Sequence, residues 1–417
     1  MTDPADGELI PAREACALLG ISPATLYAYV SRGLIDSRPG PDHRSRVYLR
    51  RDVERLIQRK RDGRGAARGA AQSLDRGLPV LDTRISLIRP DGPYYRGRSA
   101  VQAALGGATL EDVARLLWDC GDDDPFARPP DADWPEPVRS LAADPELPPL
   151  ERAMAVIPLL APGARSAFSA SPTARRRIAA TLLRQNAALL VAAPSGAAPV
   201  HRLLAGQWKP RDARFADLVR AALVLCAEHE LNVSAFAARV VASTGAHLHA
   251  TVCTGLGALS GPRHGGATAR AYALIGDALA APSPAACIAQ RWERGEDLPG
   301  FGHVLYPDGD PRAAALLAML EEARPGNRRL QRIRTVIDGA ADSSGQRPNI
   351  DFLLATLCQV HGLPAAPALV IFAAGRLAGW LAHALEQQDT GKLIRPRARY
   401  SGVAPDTVRE ASNGAAV

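Results

Sequence analysis

Apolar positions in this chain follow a helical period over most of its length. Ala, Leu and Val recur at spacings of three and four over 109–118, 151–160, 173–193, 212–228, 233–259, 267–280, 312–323, 351–361 and 366–388. Pro/Gly loops separate these segments and almost no period-two alternation occurs, so the spacing predicts a mainly α unit from about residue 80 onward. Residues 83–97 are the exception, where SLIRPDGPYYRG reads as a short hairpin turning at Pro90-Asp91-Gly92. The acidic, proline-rich stretch 121–149 predicts an exposed irregular connection.

Residues 8–61 read as a separate small unit. Ala12 to Gly20 has helical spacing and a C-cap glycine, and Ser22-Pro23 supplies an N-cap with proline in the first turn of a second helix, 23–31. Two short helices joined by a tight glycine-containing turn make a helix-turn-helix. A Pro/Gly/Arg stretch, 38–46, predicts a β-wing before Val47-Tyr48-Leu49, and a third helix follows over 50–60. The Gly/Ala/Arg/Ser-rich segment after it suits a flexible linker. The expected organisation is therefore 1–61, a linker at 62–79, and 80–417.

Composition adds that the chain is globular: of 417 residues 47% are hydrophobic, 22% charged and only 5% aromatic. The net charge of +7 matters less than its location. Residues 43–68 hold ten Lys/Arg against three Asp/Glu, which places the basic excess on the wing and third helix and points to a polyanion there. The preference for Arg over Lys, 47 to 3, carries no functional inference. Six scattered cysteines without a C-x-x-C pair suggest neither a zinc cluster nor a disulfide framework, and suit a reducing cytosol. The acidic N-terminus lacks an apolar leader and no run of ~18 uninterrupted apolar residues occurs, so secretion and membrane spanning are not expected.

Candidate chemistry concentrates in four Gly/Pro-bounded segments: Glu228-His229-Glu230-Leu231-Asn232, Gly261 to Ala267 (GPRHGGA), Pro299 to His303 running on to Asp310-Pro311-Arg312, and Pro348-Asn349-Ile350-Asp351-Phe352. Each places polar groups at a helix end or tight turn, where backbone approaches a ligand closely. Arg376 lies inside the apolar run 365–385, where a guanidinium needs an anion, from the protein or from a ligand. Arg395 and Arg397 sit in an extended C-terminal arm of the kind that crosses to a partner subunit. A metal site from His229, His247, His249 and His264 matches no strong zinc spacing, and GLGALSG lacks both the dinucleotide fingerprint and a preceding strand.

In this order, HELN, GALSGPRHGGA, PGFGHVLYPDGDPRA, PNIDF and GRLAGWLAHALEQ with LIRPRARY resemble the citrate synthase family over roughly 80–402. YYRGRSAVQAALGGATLEDVARLLWDCG is similar to that family's early strand-and-helix segment, and 120–215 is the least similar portion. The resemblance implies large and small helical lobes, the small one at about 262–365. It also implies a cytoplasmic homodimer or larger oligomer that condenses acetyl-CoA with oxaloacetate to citrate and CoA, without a cofactor. By the same resemblance, Asp351 is the base for the thioester methyl and His264 the donor to the developing enolate. His303 polarises the ketone, and His229, Arg312, Arg376 and Arg395 hold carboxylates, Arg395 from the other protomer. Such chemistry needs a carboxylate base, positioned donors and fork-shaped cations. Asp351 stands at a helix start, where its pKa is expected to fall, so closure over bound substrates and loss of water must raise its basicity. Departures from the family pattern are the absence of a basic residue at Val304-Leu305-Tyr306-Pro307, Thr268 in place of Asn, and Leu353-Leu354-Ala355 after PNIDF; these bear on CoA affinity and substrate choice. Rival readings are 2-methylcitrate synthase, using propionyl-CoA, and a transcription regulator sensing a metabolite through a synthase-like unit.

The segment ACALLGISPATLYAYVSRGLI with SRVYLRRDVERL resembles MerR/excisionase-type winged helix-turn-helix modules. That implies DNA as a partner, with residues 24–29 in the major groove, Arg44 and Arg46 on phosphates, and Thr25, Tyr27 and Arg32 completing the surface.

Overall fold

A computed structural model describes residues 9–19, 21, 26, 30, 35, 37–40, 46–50, 52–54, 81–130, 134, 136, 138–161, 168–169, 171–398 and 400–402. The chain divides into two units, Met1–Asp82 and Thr83–Val417. In the first, the expected opening helix is present as Ala12–Leu19. The wing strands are Ser37–Pro39 and Arg46–Leu49, and a strand not read from the sequence, Leu9–Pro11, pairs antiparallel to the other edge of Arg46–Leu49. Ile10, Ala15, Leu19, Leu26, Ile35, Tyr48 and Val53 form its core. Of the predicted second and third helices, Leu26, Val30, Arg50 and 52–54 are described and helical; the rest, and the linker, lie outside the described residues.

The second unit begins with the expected hairpin, Ser86–Arg89 paired with Gly92–Tyr95, extended by Arg98–Ser99. Helices follow almost without interruption. Two readings change. The period over 233–259 is broken into Val233–Ser243 and Leu248–Leu259, because Gly245 turns at φ +80° and His247 caps the second helix through its ring, accepting from the Ala250 amide. The stretch 121–149 is not wholly irregular, since Val138–Ala143 is a helix whose Val138 and Ala142 are buried.

Helix Ala366–Thr390 organises the core. It packs against Pro172–Leu190, Ala213–Cys226, Val233–Ser243, Leu248–Leu259 and Ile350–Val360. It is long and apolar enough to cross a membrane, but 94% of its most apolar stretch is buried inside the protein, which accounts for the composition. Close approach is paid for by small residues: a Cβ on Gly375 would lie 2.7 Å from the Leu223 carbonyl, and one on Gly379 would strike the Glu228 carboxylate. Those contacts bring Cys226–His229 down onto the helix bearing Arg376.

Candidate active site

The four polar segments end on helix N-termini. Asn232 caps Val233–Ser243, Asp310 caps Pro311–Ala323 with proline in the first turn, Asn349 caps Ile350–Val360, and His264 stands just ahead of Gly266–Ala280. Unpaired amides at such ends favour anions. The loops are pinned to one another. Gly300 and Gly302 adopt φ +88° and +71°, and a Cβ on Gly300 would lie 2.9 Å from Phe352 Cβ, so PGFGH closes against PNID only with glycine there. The Asn349 amide donates to Gly300 O and the Gly302 amide to Arg347 O, both at 2.8 Å. Glu230 holds φ +56°, a costly conformation for a non-glycine residue, beside His229.

Six of the seven substrate-site residues expected from the sequence gather in one neighbourhood: His229, His303, Arg312 and His264 through a chain of contacts, Arg376 through Phe372, which also packs on His264, and Asp351 through the fields of Arg312 and Arg376. His229 Nε2 lies 3.0 Å from Tyr306 Oη, and its ring is 5.1 Å from that of His303. The Leu305 amide donates to His303 Nδ1 at 3.1 Å, which leaves the His303 proton on Nε2. Arg312, 2% exposed, makes a fork with Asp310 through Nε (3.0 Å) and Nη2 (2.8 Å). Asp310 also accepts from the Ile350 amide, next to Asp351. His264 Nε2 is 2.8 Å from Ser234 Oγ, whose other partners are Trp380 Nε1 (3.0 Å) and Asn232 Oδ1 (2.8 Å). Asn232 Nδ2 in turn donates to the His229 carbonyl.

Arg376 is 2% exposed, donates Nε to Cys226 O at 2.8 Å, and has its Cζ 4.8 Å from the Phe372 ring centroid. Among the described residues no carboxylate reaches ion-pair distance of it. Glu228 acts on it through space without touching it, which leaves the contact position for an anion open to a ligand.

Electrostatics sort these groups into roles. Burial holds His264 down at about 4, with Arg376 adding to the shift. Burial, then Arg312, keep His303 below its ordinary value, and burial puts His229 well below its own. All three are neutral imidazoles at working pH. Asp351 corrects the expectation from helix position: burial raises its carboxyl to about 6, against the pull of Arg312 and Arg376 and with Asp310 repelling it. The first-turn amides do not offset that desolvation. Asp310, although burial raises it, stays below its ordinary value because Arg312 grips it.

Arg395 does not join the site. It lies exposed in the irregular segment after Thr390. Of the expected DNA-facing residues, Arg46 is described, on its strand and donating to Ser37 Oγ at 2.8 Å. Thr25, Tyr27, Arg32 and Arg44 lie outside the described residues. Sequence reasoning missed Tyr306, Ser234 and Trp380, and named Asp310 in a candidate segment without giving it a role. A signal existed for two of them, since Tyr306 follows His303 by three residues and Asp310-Pro311-Arg312 is itself a capping sequence.

Gly255 explains how Trp380 is held. A Cβ there would lie 2.6 Å from the indole, so Gly255→Ala is expected to displace the ring and cost about 1–3 kcal/mol in urea unfolding. An unchanged midpoint would show that Trp380 has room to move.

Residues 73–397 match the family model for the citrate synthase C-terminal domain, and 12–61 match a helix-turn-helix domain. A putative citrate synthase 2 from Mycobacterium tuberculosis is 40% identical over 202 residues, covering 46% of this chain and 53% of that protein. A 2-methylcitrate synthase from Shewanella oneidensis is 36% identical over 208 residues, covering 49% and 56%. The chain thus spans about half the length of the curated relatives it matches. A Thermoplasma acidophilum citrate synthase, in ternary complex with carboxymethyl coenzyme A and oxaloacetate, shares the fold with a TM-score of 0.64 at 23% identity, over 78% of this chain and 95% of that one. A Thermotoga maritima citrate synthase gives 0.59 at 23% identity, over 78% and 94%. With its family model matched over most of its length, the chain belongs to the citrate synthase family.

Proposed function

We propose that the second unit condenses acetyl-CoA with oxaloacetate, giving citrate and CoA without a cofactor. The observation that carries this reading is a buried Arg376 with no carboxylate at ion-pair distance among the described residues, in the same neighbourhood as a raised carboxyl and neutral imidazoles. Asp351 takes a methyl proton from the thioester. His264 hydrogen-bonds the enolate oxygen through Nδ1–H once the Ser234 hydroxyl, which donates to Asn232 Oδ1 in this structure, turns its proton to Nε2. The new carbon–carbon bond forms at the ketone carbon, whose oxygen is held by His303 Nε2–H, and water then cleaves the thioester. Arg312, Arg376 and His229 hold the carboxylates, and Arg395 completes the set from the partner protomer of a homodimer or larger oligomer. Arg263, Arg270 and Arg347 are exposed beside His264, Asp351 and Gly302 and form no ion pair among the described residues, which suits the phosphates of CoA. The proposed boundaries are 1–61, 62–79 and 80–417, with the small lobe at about 262–365. A cytoplasmic place in the tricarboxylic acid cycle accords with this chemistry.

CoA release from purified protein with oxaloacetate and either acetyl- or propionyl-CoA tests the reading. Turnover supports it, and the faster thioester names the substrate. Oxaloacetate binding without turnover at saturation would make the unit a sensor instead. Because Asp351 works only as carboxylate, kcat/KM is expected to rise with pH through about 6 and level off above. A flat profile from pH 5 to 8 would remove Asp351 as the base.

The first unit is proposed to bind DNA. Support comes from the helix-turn-helix match and the basic excess over 43–68. Replacing Arg44 and Arg46 together by Ala is expected to weaken binding and flatten its salt dependence by about two phosphate contacts. An unchanged salt slope in a fluorescence titration would remove both from the phosphate contacts.

A further inference from the structure

Tyr306 has no part in the chemistry above, yet it touches three of the groups that chemistry uses. Its hydroxyl is 3.0 Å from His229 Nε2, its ring centroid 4.8 Å from that of His303, and the Arg312 Cζ 5.6 Å from its ring centroid. It is 2% exposed. Two turn hydrogen bonds hold its backbone, Tyr306 N to His303 O and Gly309 N to Tyr306 O, both 3.1 Å. A phenol in that setting has little freedom to swing away.

We propose that Tyr306 is a positioning residue that sets the tautomer of His229, so that the ring presents Nδ1–H to a substrate carboxylate. The proposal rests on the synthase reading for the identity of the substrate, but not for the tautomer. A phenol and a neutral imidazole can share their proton in two ways, with the hydroxyl donating to Nε2 or Nε2–H donating to the hydroxyl. Burial pushes the phenol up to about 12, so it keeps its proton, and burial with Arg312 and Arg376 keeps the imidazole neutral. Arg312 beside the ring face favours a phenol that donates, since donation makes the ring more electron-rich, and among the described residues His229 Nε2 is the only hydrogen-bond partner of the hydroxyl, so donation there leaves no phenol proton unpaired. Nε2 then accepts, and the ring's own proton sits on Nδ1. Among the described residues Nδ1 has no hydrogen-bond partner, and it is not a sealed-off buried atom, which leaves it available to a ligand.

The consequence separates Tyr306 from the residues that hold charge. Without the hydroxyl, His229 divides between its tautomers and only part of the population offers the right donor. That is a penalty on binding, since the protein must be in the competent form before substrate is held.

The test is Tyr306→Phe in the full-length chain, which keeps the ring and its packing. In 15N-histidine-labelled wild-type protein, proton–nitrogen correlation spectra are expected to report His229 protonated at Nδ1; in Tyr306→Phe the signal should move toward Nε2–H. Oxaloacetate KM and its Kd by calorimetry should rise about 10-fold together, while kcat changes less. An Nε2–H signal for His229 in wild type, or an unmoved signal in the variant, would overturn the proposal. An inactive wild-type enzyme with the expected spectra would overturn the synthase reading and leave the tautomer assignment standing.

Discussion

Asp351→Asn is expected to lower kcat for CoA release by about 10²–10⁴-fold, the usual worth of a positioned general base. The amide has the carboxylate's shape, so the Asn349 cap and the helix Ile350–Val360 should survive. What it lacks is a basic site for the methyl proton. The raised carboxyl makes the effect larger than it would be for an ordinary aspartate, because a group at about 6 has more proton affinity than one near 4 and remains mostly ionised at neutral pH. Calorimetry with oxaloacetate alone should show binding within a fewfold of wild type, or tighter, since a negative group near Arg312 and Arg376 has been removed. CoA release above a tenth of wild type would dismiss Asp351 as the base.

That basicity was not legible from sequence, and the reason is physical. A helix start lowers a carboxyl by local dipoles, which spacing can reveal, while desolvation and charge act through tertiary neighbours, among them Asp310, 41 positions earlier in the chain. The same limit hid Tyr306 as a partner of His229, 77 residues earlier. Strongly periodic segments were readable because burial and period coincide, as in Ala366–Thr390. Arg328–Ser344 was not read as a helix, since its apolar stripe of Leu330, Ile333, Val336 and Ile337 is interleaved with five arginines and aspartates in the first eleven residues. The break at Gly245 was obscured because apolar spacing on both sides of it happens to stay in phase. For the site, the motif order carried six residues to one neighbourhood, while Arg395 stays outside it, exposed after Thr390.

Arg376→Met is expected to weaken oxaloacetate binding by about 10²-fold or more, as removal of one partner from a buried charged contact does, while leaving the fold about as stable as before. The two halves of that expectation have different causes. A guanidinium 2% exposed and with no carboxylate at ion-pair distance carries a desolvation cost, and burial pulls its pKa down despite the field of Glu228. Methionine fills similar space beside Phe372 and removes that cost, but it orphans the Cys226 carbonyl that Nε satisfies, at about 1–3 kcal/mol. These terms oppose each other, so the melting temperature should move by only a few degrees in either direction. A drop of 10 °C or more would mean that the arginine is structural and that its missing carboxylate says nothing about a ligand. An unchanged melting temperature with lost binding would show a residue kept at a cost to the core because a substrate carboxylate answers it.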